Sequence, residues 1–309
     1  MAAHRSCRFR EADIVWKKKE NCMRTAIVTD SNSGIFEAEG SKLGVFVLPM
    51  PVMIDDREYF EGVDLFHDGF YQSLLEHKQV STSQPTPGNV LALWDKVFGE
   101  GFEELVYIPM SSGLSNSCQT ALMLAEDYNG KVQVVDNHRI SVTQRSSVMD
   151  ALMLAQAGDT AAEIKAKLEQ SAYDSIIYVG VETLDFLKRG GRVTAAGAAM
   201  STVLNLKPLL TIQGERLDAY AKVRGTKNCK KWEIEATQKS AEEFHQKGQE
   251  IRIGVAGSFL HEEEDREWLE MVKAAFPGEE VYYDRLTFSI GCHVGPGAFG
   301  MGISAKLSV

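Results

Sequence analysis

The sequence has few cysteines and lacks the spacings of cysteine and histidine that are typical of metal sites. Its five cysteines are scattered over 309 residues, and none of them forms a Cys-x-x-Cys pair. The seven histidines show no His-Glu-x-x-His or similar ligand spacing. These absences argue against a disulfide framework and against zinc. We therefore expect a chain without a metal or other cofactor, located in a reducing cytoplasm.

Long apolar runs and an excess of positive charge are also missing. No apolar run approaches the length of a membrane-spanning helix. The formal net charge is −10 and the isoelectric point is about 5.3. An acidic chain of this kind does not favour nucleic acid or an anionic membrane as its main partner. We expect no nucleic acid partner and at most transient contact with a membrane.

Nucleotide and hydrolase motifs are absent too. The sequence holds no G-x-x-x-x-G-K-[ST] and no kinase motif set, so we expect no ATP site in this chain. Gly295–Gly300 matches G-x-G-x-x-G, but too little chain follows it for a dinucleotide fold, and a tight turn is the better interpretation. There is no G-x-S-x-G. Ser112 or Ser115 with His293 remains a hydrolytic alternative without an evident orienting acid.

Length and pattern indicate two α/β domains. A chain of 309 residues suits two domains better than one. Strands alternate with helices up to about residue 171, which favours a parallel sheet with ligand sites at the carboxyl ends of its strands. We predict domains at 23–174 and 175–309. Residues 1–22 are polar and lack the apolar core of a signal peptide, so we expect them to be an extension, disordered or loosely helical, before a functional start at Met23.

One stretch, Tyr107–Ala125, combines the end of a strand, a serine-rich turn and the start of a helix. Leu105–Ile108 has strand length, Ser111–Ser115 is the turn, and a helix is predicted over Asn116–Tyr128. The first N–H groups of such a helix, with its positive dipole end, form an anion site for a carboxylate or a phosphate. The alternative is that Ser115 only caps the helix.

Other candidate positions lie in turns and loops. Polar turns follow Thr29, Val80 and Ile108, and we predict that they share one rim. The pattern also predicts a loop over Val80–Pro87 and a helix over Ala195–Leu204. A strand is predicted over Val281–Phe288, with a glycine-rich turn after it that holds His293. Arg192 follows Gly190-Gly191 in a turn, where it either reaches an anion or is a solvated surface charge.

Eight short motifs, each weak alone, follow one another from about Met23 to the C-terminus. They are Ile27–Ser31, Val47–Pro49, Tyr59 with Gly62–Asp64, Ser81–Pro85, Ser111–Ser115, Phe186–Val193, Asn205–Pro208 and His293–Gly297. In this order they resemble the DegV family of bacterial fatty-acid-binding proteins, which serve as the acyl-carrying subunit of fatty acid kinase. The first turn departs from the family at Asn32-Ser33, where a second acidic residue is usual. Asn116-Ser117 stands where glycine-threonine is common.

The resemblance implies a DegV-like fold and a set of binding residues. The fold has an N-terminal α/β domain with a parallel sheet, a C-terminal α/β domain with a mixed sheet, and a fatty acid buried between them. A threonine, a serine and a histidine hold the carboxylate, and these match Thr82, Ser112 or Ser115, and His293. The backbone N–H of Asn116, at the start of the predicted helix, keeps the anion site in this sequence. Arg192 matches an arginine near the head group, with a role in phosphotransfer or partner contact.

The function that we expect is therefore that of a carrier. The chain binds a long-chain fatty acid in a buried tunnel and presents its carboxylate to a separate ATP-dependent kinase, which forms an acyl phosphate. On this interpretation it is a lipid-binding subunit and not an enzyme by itself. Two alternatives stay open from the residues alone: a carrier of another small carboxylate, and a serine-dependent acyl hydrolase.

Overall fold

The structure is a computed structural model that describes residues 25–200 and 206–308, so the predicted extension at 1–22 lies outside the described residues. The strands in these ranges are β1 (Thr25–Asp30), β2 (Val45–Leu48), β3 (Pro51–Ile54), β4 (Arg57–Phe60), β5 (Val80–Thr82), β6 (Glu104–Ile108), β7 (Val132–Val134), β8 (Ser175–Gly180), β9 (Leu206–Ile212), β10 (Asp218–Arg224), β11 (Ile251–Gly257), β12 (Val281–Arg285) and β13 (Phe299–Ala305).

Helices alternate with these strands over most of the chain. They are α1 (Glu37–Leu43), α2 (His67–Leu75), α3 (Pro87–Gly99), α4 (Ser117–Ala125), α5 (Ser141–Ala157), α6 (Ala161–Gln170), α7 (Asp185–Gly190), α8 (Ala195–Ala198), α9 (Thr226–Gln246), α10 (Glu262–Ala275) and α11 (Phe288–Val294). None of the helices in the described ranges is both long enough and apolar enough to cross a membrane.

The first large sheet is parallel, as the alternation of strands and helices predicts. Its strand order is β2-β1-β6-β7, and each neighbouring pair runs parallel. All six residues of β1 are buried, which fits a central strand covered on both faces. Thr29 and Ile108 are register partners at the carboxyl ends of β1 and β6. The polar turns after these two strands therefore lie side by side.

The second large sheet is mixed, and the α/β fold class is confirmed. Its order is β10-β9-β8-β13-β11-β12. The β11–β12 pair is parallel and the others are antiparallel. The division of the chain between residues 174 and 175 stays a prediction; β8, the first strand of this sheet in chain order, begins at Ser175.

Helix α5 packs against both large sheets. Its Gln144 amide donates to Thr29 Oγ1 at 3.2 Å and to the Ile108 carbonyl at 3.1 Å, both in the parallel sheet. On the other side, Gly254 and Gly302 are register partners in the mixed sheet. A Cβ at either glycine would overlap Val142 of α5. These two glycines let the helix approach the sheet closely.

A third, three-stranded sheet of order β4-β3-β5 carries helix α2. Strands β3 and β4 form an antiparallel hairpin. The loop predicted at 80–87 instead begins with a strand. Val80 and Thr82 pair with Ile54 and Val52 of β3. Proline at 85 and 87 gave the expectation of a loop, but both prolines follow the last paired residue, so they do not interrupt the strand.

The second half of the chain contains two helices that the pattern did not predict as such. His293 was expected in a glycine-rich turn and instead lies in α11, and the strand expected to reach residue 288 ends at Arg285. Gly291 lies inside this helix. Glycine suits the position because a Cβ there would meet Tyr71 and Phe70 at 3.0 and 3.1 Å. Helix α7 precedes Gly191, whose φ of 67° ends it. The helix predicted over 195–204 begins as α8 but ends at Ala198, and residues 201–204 lie outside the described residues.

Candidate ligand-binding site

A cavity lies between the two large sheets, where α5 and α11 also meet. Much of its wall is apolar and comes from the mixed sheet: Ile177, Val179, Ile212, Ala256 and Met301. The cavity has a volume of about 110 Å³. The apolar lining of this cavity suits a hydrocarbon group.

Residues from all three predicted polar turns line this one cavity. Asn32 follows β1, Thr82 ends β5, and Ser115 lies in the turn after β6. The carboxyl ends of the parallel strands bring the first and third turns together. Thr82 belongs to β5 of the three-stranded sheet. The expectation of a shared rim is confirmed, and the rim combines hydroxyl and amide groups.

Thr82 and His293 form the polar pair at the cavity wall. Thr82 Oγ1 and His293 Nε2 are 3.0 Å apart and share a hydrogen bond, although 211 residues separate them in the chain. Which atom donates depends on the imidazole tautomer. The contact joins the last residue of β5 to α11. Two residues that the sequence singled out separately therefore form one unit.

His293 is held as a neutral imidazole. Burial, followed by the positive charge of Arg192, lowers the pKa of His293 to about 4. Gly190 makes this placement possible, since a Cβ at this position would overlap His293 Nδ1. Near pH 7 the imidazole can offer a single N–H donor to a ligand and carries no charge.

Arg192 also lines the cavity and is positioned by backbone carbonyls. Its Nε donates to the Leu114 carbonyl at 3.3 Å, and a terminal nitrogen donates to the Gly190 carbonyl. These carbonyl groups orient the guanidinium of Arg192 without neutralising its positive charge. The arginine predicted to reach an anion is thus turned towards the cavity that Thr82 and His293 also line.

The structure separates the serine-turn candidates. Ser115 lines the cavity, and its hydroxyl accepts a hydrogen bond from the Ser117 N–H at 3.2 Å. The Ser112 N–H instead donates to Asp136 Oδ1 at 3.4 Å. Asn116 is the residue before α4, and its carbonyl accepts from Thr120 N–H at 3.0 Å. Of these three, the described cavity wall includes only Ser115. The N-cap of α4 is Asn116 and not Ser115, although the Ser115 hydroxyl does accept from the first N–H of the helix.

Sequence reasoning missed part of the cavity wall. Ser289 lines it and donates a hydrogen bond to Asn32 Oδ1 at 2.6 Å. Asn32 belongs to a turn that the pattern had placed on the rim, so its position was accessible from sequence. Ser289 directly follows the segment predicted as a strand, Val281–Phe288, and was not singled out as a candidate. Recognising Thr287 as a possible N-cap before a short helix would have been the available signal.

The described part of the chain contains no candidate metal site. No group of three or more His, Cys, Asp or Glu side chains is arranged there to hold a metal ion. The recognisable features are thus an apolar cavity, a hydroxyl–imidazole pair, a serine and an arginine.

Comparison with known proteins identifies the family. Residues 24–306 match the sequence profile of the family described as "Uncharacterised protein, DegV family". The chain belongs to the DegV family. A DegV domain-containing protein of Listeria monocytogenes is 31% identical over 287 residues, which are 92% of this chain and 99% of the relative. The resemblance seen in the eight motifs is therefore confirmed.

Solved DegV structures share the fold. A structure described as fatty acid binding of a DegV family protein from Thermus thermophilus is 30% identical to this chain, with a TM-score of 0.82 over 92% of this chain and all of the other. DegV of Bacillus subtilis, described as a fatty acid binding protein, is 27% identical, with a TM-score of 0.78 and the same coverage. These DegV proteins are described as binding proteins and not as enzymes.

Proposed function

We propose that this chain binds a long-chain fatty acid in the cavity between its two large sheets. The observation that carries this proposal is an apolar cavity whose wall also holds Thr82, Ser115, His293 and Arg192. The apolar part accommodates the tail, and the polar group binds the carboxylate. The descriptions of the DegV structures from Thermus thermophilus and Bacillus subtilis support the same ligand class.

The energetics favour a ligand with a long tail and one acidic end. Burying a methylene contributes about 0.8 kcal/mol, so a tail of about sixteen carbons supplies roughly 12 kcal/mol before costs. Lost translational and rotational freedom consumes about 4 kcal/mol or more. A buried carboxylate costs several kcal/mol unless it is hydrogen-bonded. The tail therefore provides the affinity, while Thr82, Ser115 and His293 remove the penalty and fix the orientation.

Orientation matters because we propose that a separate kinase acts on the carboxylate. An oxygen of the bound carboxylate forms a bond to the γ-phosphorus of ATP, and the bond from that phosphorus to ADP breaks, giving an acyl phosphate and ADP. The sequence holds no ATP-binding motif of its own, so the nucleotide arrives with the partner. Arg192 is the group we assign to the transferred phosphoryl charge or to partner contact.

The two alternatives receive less support from the site. A carrier of a small polar carboxylate calls for a polar pocket, whereas much of this wall is aliphatic. A serine-dependent hydrolase calls for a serine hydrogen-bonded to His293, whereas His293 Nε2 bonds to Thr82. Hydrolysis of a short acyl ester by this chain alone would support the hydrolase.

Lipid extraction of the purified protein, followed by mass spectrometry, tests the proposal directly. We expect a long-chain fatty acid at about one molecule per chain. Protein stripped of lipid should take up palmitate or oleate in a calorimetric titration and should not take up acetate. A protein that is purified empty and then fails to bind either long-chain acid contradicts the proposed function.

A further inference from the structure

Glu61 is a buried carboxyl group that bridges the three-stranded sheet and the helix that carries His293. It follows β4 directly and is 1% exposed. Its Oε1 accepts a hydrogen bond from the backbone N–H of Phe288, the first residue of α11. Its Oε2 accepts from Ser31 Oγ at 3.0 Å and lies 3.5 Å from Ser289 Oγ.

The contacts of Glu61 and Thr82 secure the two ends of the same helix. Glu61 follows β4, and Thr82 ends β5; both strands pair with β3. Phe288 begins α11, and His293 lies in its last turn. Between the two polar contacts, Phe70 of α2 stacks on Phe288 with ring centroids 4.7 Å apart. If the contact at Phe288 is lost, α11 can shift and carry His293 away from Thr82.

The hydrogen bonds around Glu61 leave room for one more bond when its carboxyl group is neutral. The Ser289 hydroxyl donates its single hydrogen to Asn32 Oδ1 at 2.6 Å, so it cannot also donate to Glu61. A proton on Glu61 Oε2 can be donated to Ser289 Oγ, while Oε1 still accepts from Phe288. An ionised Glu61 would keep its hydrogen bonds from Phe288 and Ser31 but would place a charged oxygen beside a serine hydroxyl whose hydrogen is donated elsewhere.

The surroundings of Glu61 also favour the neutral acid. The titratable groups that face it are Asp30 on β1, Tyr71 on α2 and Cys292 on α11. An acid, a phenol and a thiol offer no positive charge to stabilise a carboxylate. Burial, with the charge of Asp30 adding to it, raises the pKa of Glu61 to about 8.

We infer that Glu61, in its neutral form, is a positioning residue that holds α11 so that His293 stays against Thr82 at the ligand head group. This inference rests on the proposed function, because it assumes that the head group binds at that pair. Glu61 does not contact the ligand in this arrangement and acts through Phe288 and Ser289.

The test compares Glu61→Gln and Glu61→Ala with wild type and with Glu58→Gln, a matched change at an exposed glutamate of β4. Palmitate affinity is measured by calorimetry from pH about 6.5 to about 9.5. At the lower pH we expect Glu61→Gln to bind within about twofold of wild type and Glu61→Ala about tenfold more weakly, because only alanine leaves the Phe288 N–H without a partner. Wild type and Glu58→Gln should lose about fivefold or more as pH rises, whereas Glu61→Gln should not.

Carbon NMR of glutamate-labelled protein gives a second measurement that does not depend on ligand. We expect one glutamate carboxyl resonance to titrate near pH 8 and to be missing in Glu61→Gln. The nitrogen resonances of the His293 imidazole should match in wild type and Glu61→Gln and shift in Glu61→Ala, as the bond to Thr82 is lost. If Glu61→Ala does not fold, the pH profile and the carboxyl resonance of Glu61→Gln still decide the question.

The two proposals fail in different ways. If wild type takes up no fatty acid, the proposed function fails, while the His293 resonances still report on Glu61. If palmitate binds but its pH profile is the same in Glu61→Gln and wild type, the inference about Glu61 is overturned and the carrier function stands. An unchanged His293 signal in folded Glu61→Ala overturns it as well.

Discussion

The neutral state of His293 determines how an acid can be held beside it. An imidazole with a lowered pKa of about 4 offers hydrogen bonding without a fixed positive charge. The positive charge at the cavity wall then comes from Arg192. Under the proposed function, His293 orients the carboxylate and Arg192 neutralises the transferred phosphoryl group, and each role can be tested by substitution.

Replacing His293 with alanine should weaken palmitate binding about tenfold, because Thr82 Oγ1 loses its partner in a buried position. With the kinase present, formation of the acyl phosphate should fall further than binding does, since the carboxylate is no longer oriented. Calorimetry and hydroxylamine trapping measure the two effects. The matched control is His245→Ala on α9, where the side chain is half-exposed. Unchanged turnover in His293→Ala would remove this residue from the mechanism.

The serine turn supplies a matched pair of substitutions. Ser115→Ala removes a hydroxyl from the cavity wall, and we expect palmitate affinity to fall about threefold to tenfold. Ser112→Ala should leave it within about twofold, since the structure records a Ser112 contact through its backbone N–H to Asp136. The same fatty-acid titration measures both. A larger loss in Ser112→Ala than in Ser115→Ala would reverse the assignment.

Gly190 permits the close approach of His293, and its substitution tests that contact without removing a polar group. A Cβ in Gly190→Ala would overlap His293 Nδ1, so the imidazole must move. We expect palmitate binding to weaken about tenfold, with a cost of about 1–3 kcal/mol that also lowers the melting temperature. Gly191→Ala is not a suitable control, because its φ of 67° strains any side chain there. Unchanged affinity in Gly190→Ala would show that His293 is free to adjust.

At the scale of elements, the site depends on a helix that the sequence did not reveal. The runs at β1, β6 and β7 are apolar and short, so strands were predictable there, as were the polar turns that follow β1 and β6. Helix α11 has only seven residues and contains Gly291, which is a poor helix former in isolation. Its stability comes from packing against Phe70 and Tyr71, and that contact cannot be read from the local sequence.

The same limit applies to the contacts of Glu61. Glu61 and Phe288 lie 227 residues apart in the chain, and neither position carries a recognisable motif for the contact. Each motif by itself identified one of Thr82, Arg192 and His293, and the family resemblance implied that they share a site. The contacts that bring them to one cavity come from the topology of three sheets. Residue types at a binding site are therefore predictable here, whereas the residues that position them depend on tertiary packing.

Helix α5 and the mixed sheet offer a test of element packing. In Gly254→Ala the new Cβ would overlap Val142, which also lines the cavity. We expect the free energy of unfolding to fall by about 1–3 kcal/mol and the affinity for palmitate to fall with it. Gly69→Ala is the matched control, because a Cβ at this position of α2 meets nothing within 4 Å. Denaturant unfolding measures both variants. Equal stabilities in the two would contradict the close packing of α5.

At the scale of the whole molecule, buried acids set how stability responds to pH. Burial raises the pKa of Asp284 to about 7 and that of Glu61 to about 8. In the unfolded chain both groups titrate near pH 4. The folded protein therefore keeps protons that the unfolded chain releases above pH 4. His293 acts in the opposite direction, because its lowered pKa destabilises the folded state as pH falls below about 6.5.

These shifts predict that stability falls as pH rises above about 5, because two carboxyl groups with raised pKa outweigh the single histidine. The contribution of a group with a raised pKa is fully present below its unfolded pKa and is lost as pH rises through its folded pKa. Thermal unfolding of wild type between pH about 5 and about 9 should show a fall on the alkaline side that begins well below pH 7.

Asp284→Asn tests how much one residue contributes to the loss of stability at alkaline pH. Asp284 lies 3.5 Å from Arg145 Nε. Burial raises the pKa of Asp284 and outweighs the lowering effect of the Arg145 charge. Asparagine cannot ionise, so the loss of unfolding free energy between pH about 5 and about 8 should be about 1–3 kcal/mol smaller than in wild type. Asp56→Asn, at an exposed position of the β3–β4 turn, should keep the wild-type slope. If Asp284→Asn also keeps that slope, Asp284 does not contribute to the fall, and Glu61, whose pKa is raised to about 8, is the next residue to substitute.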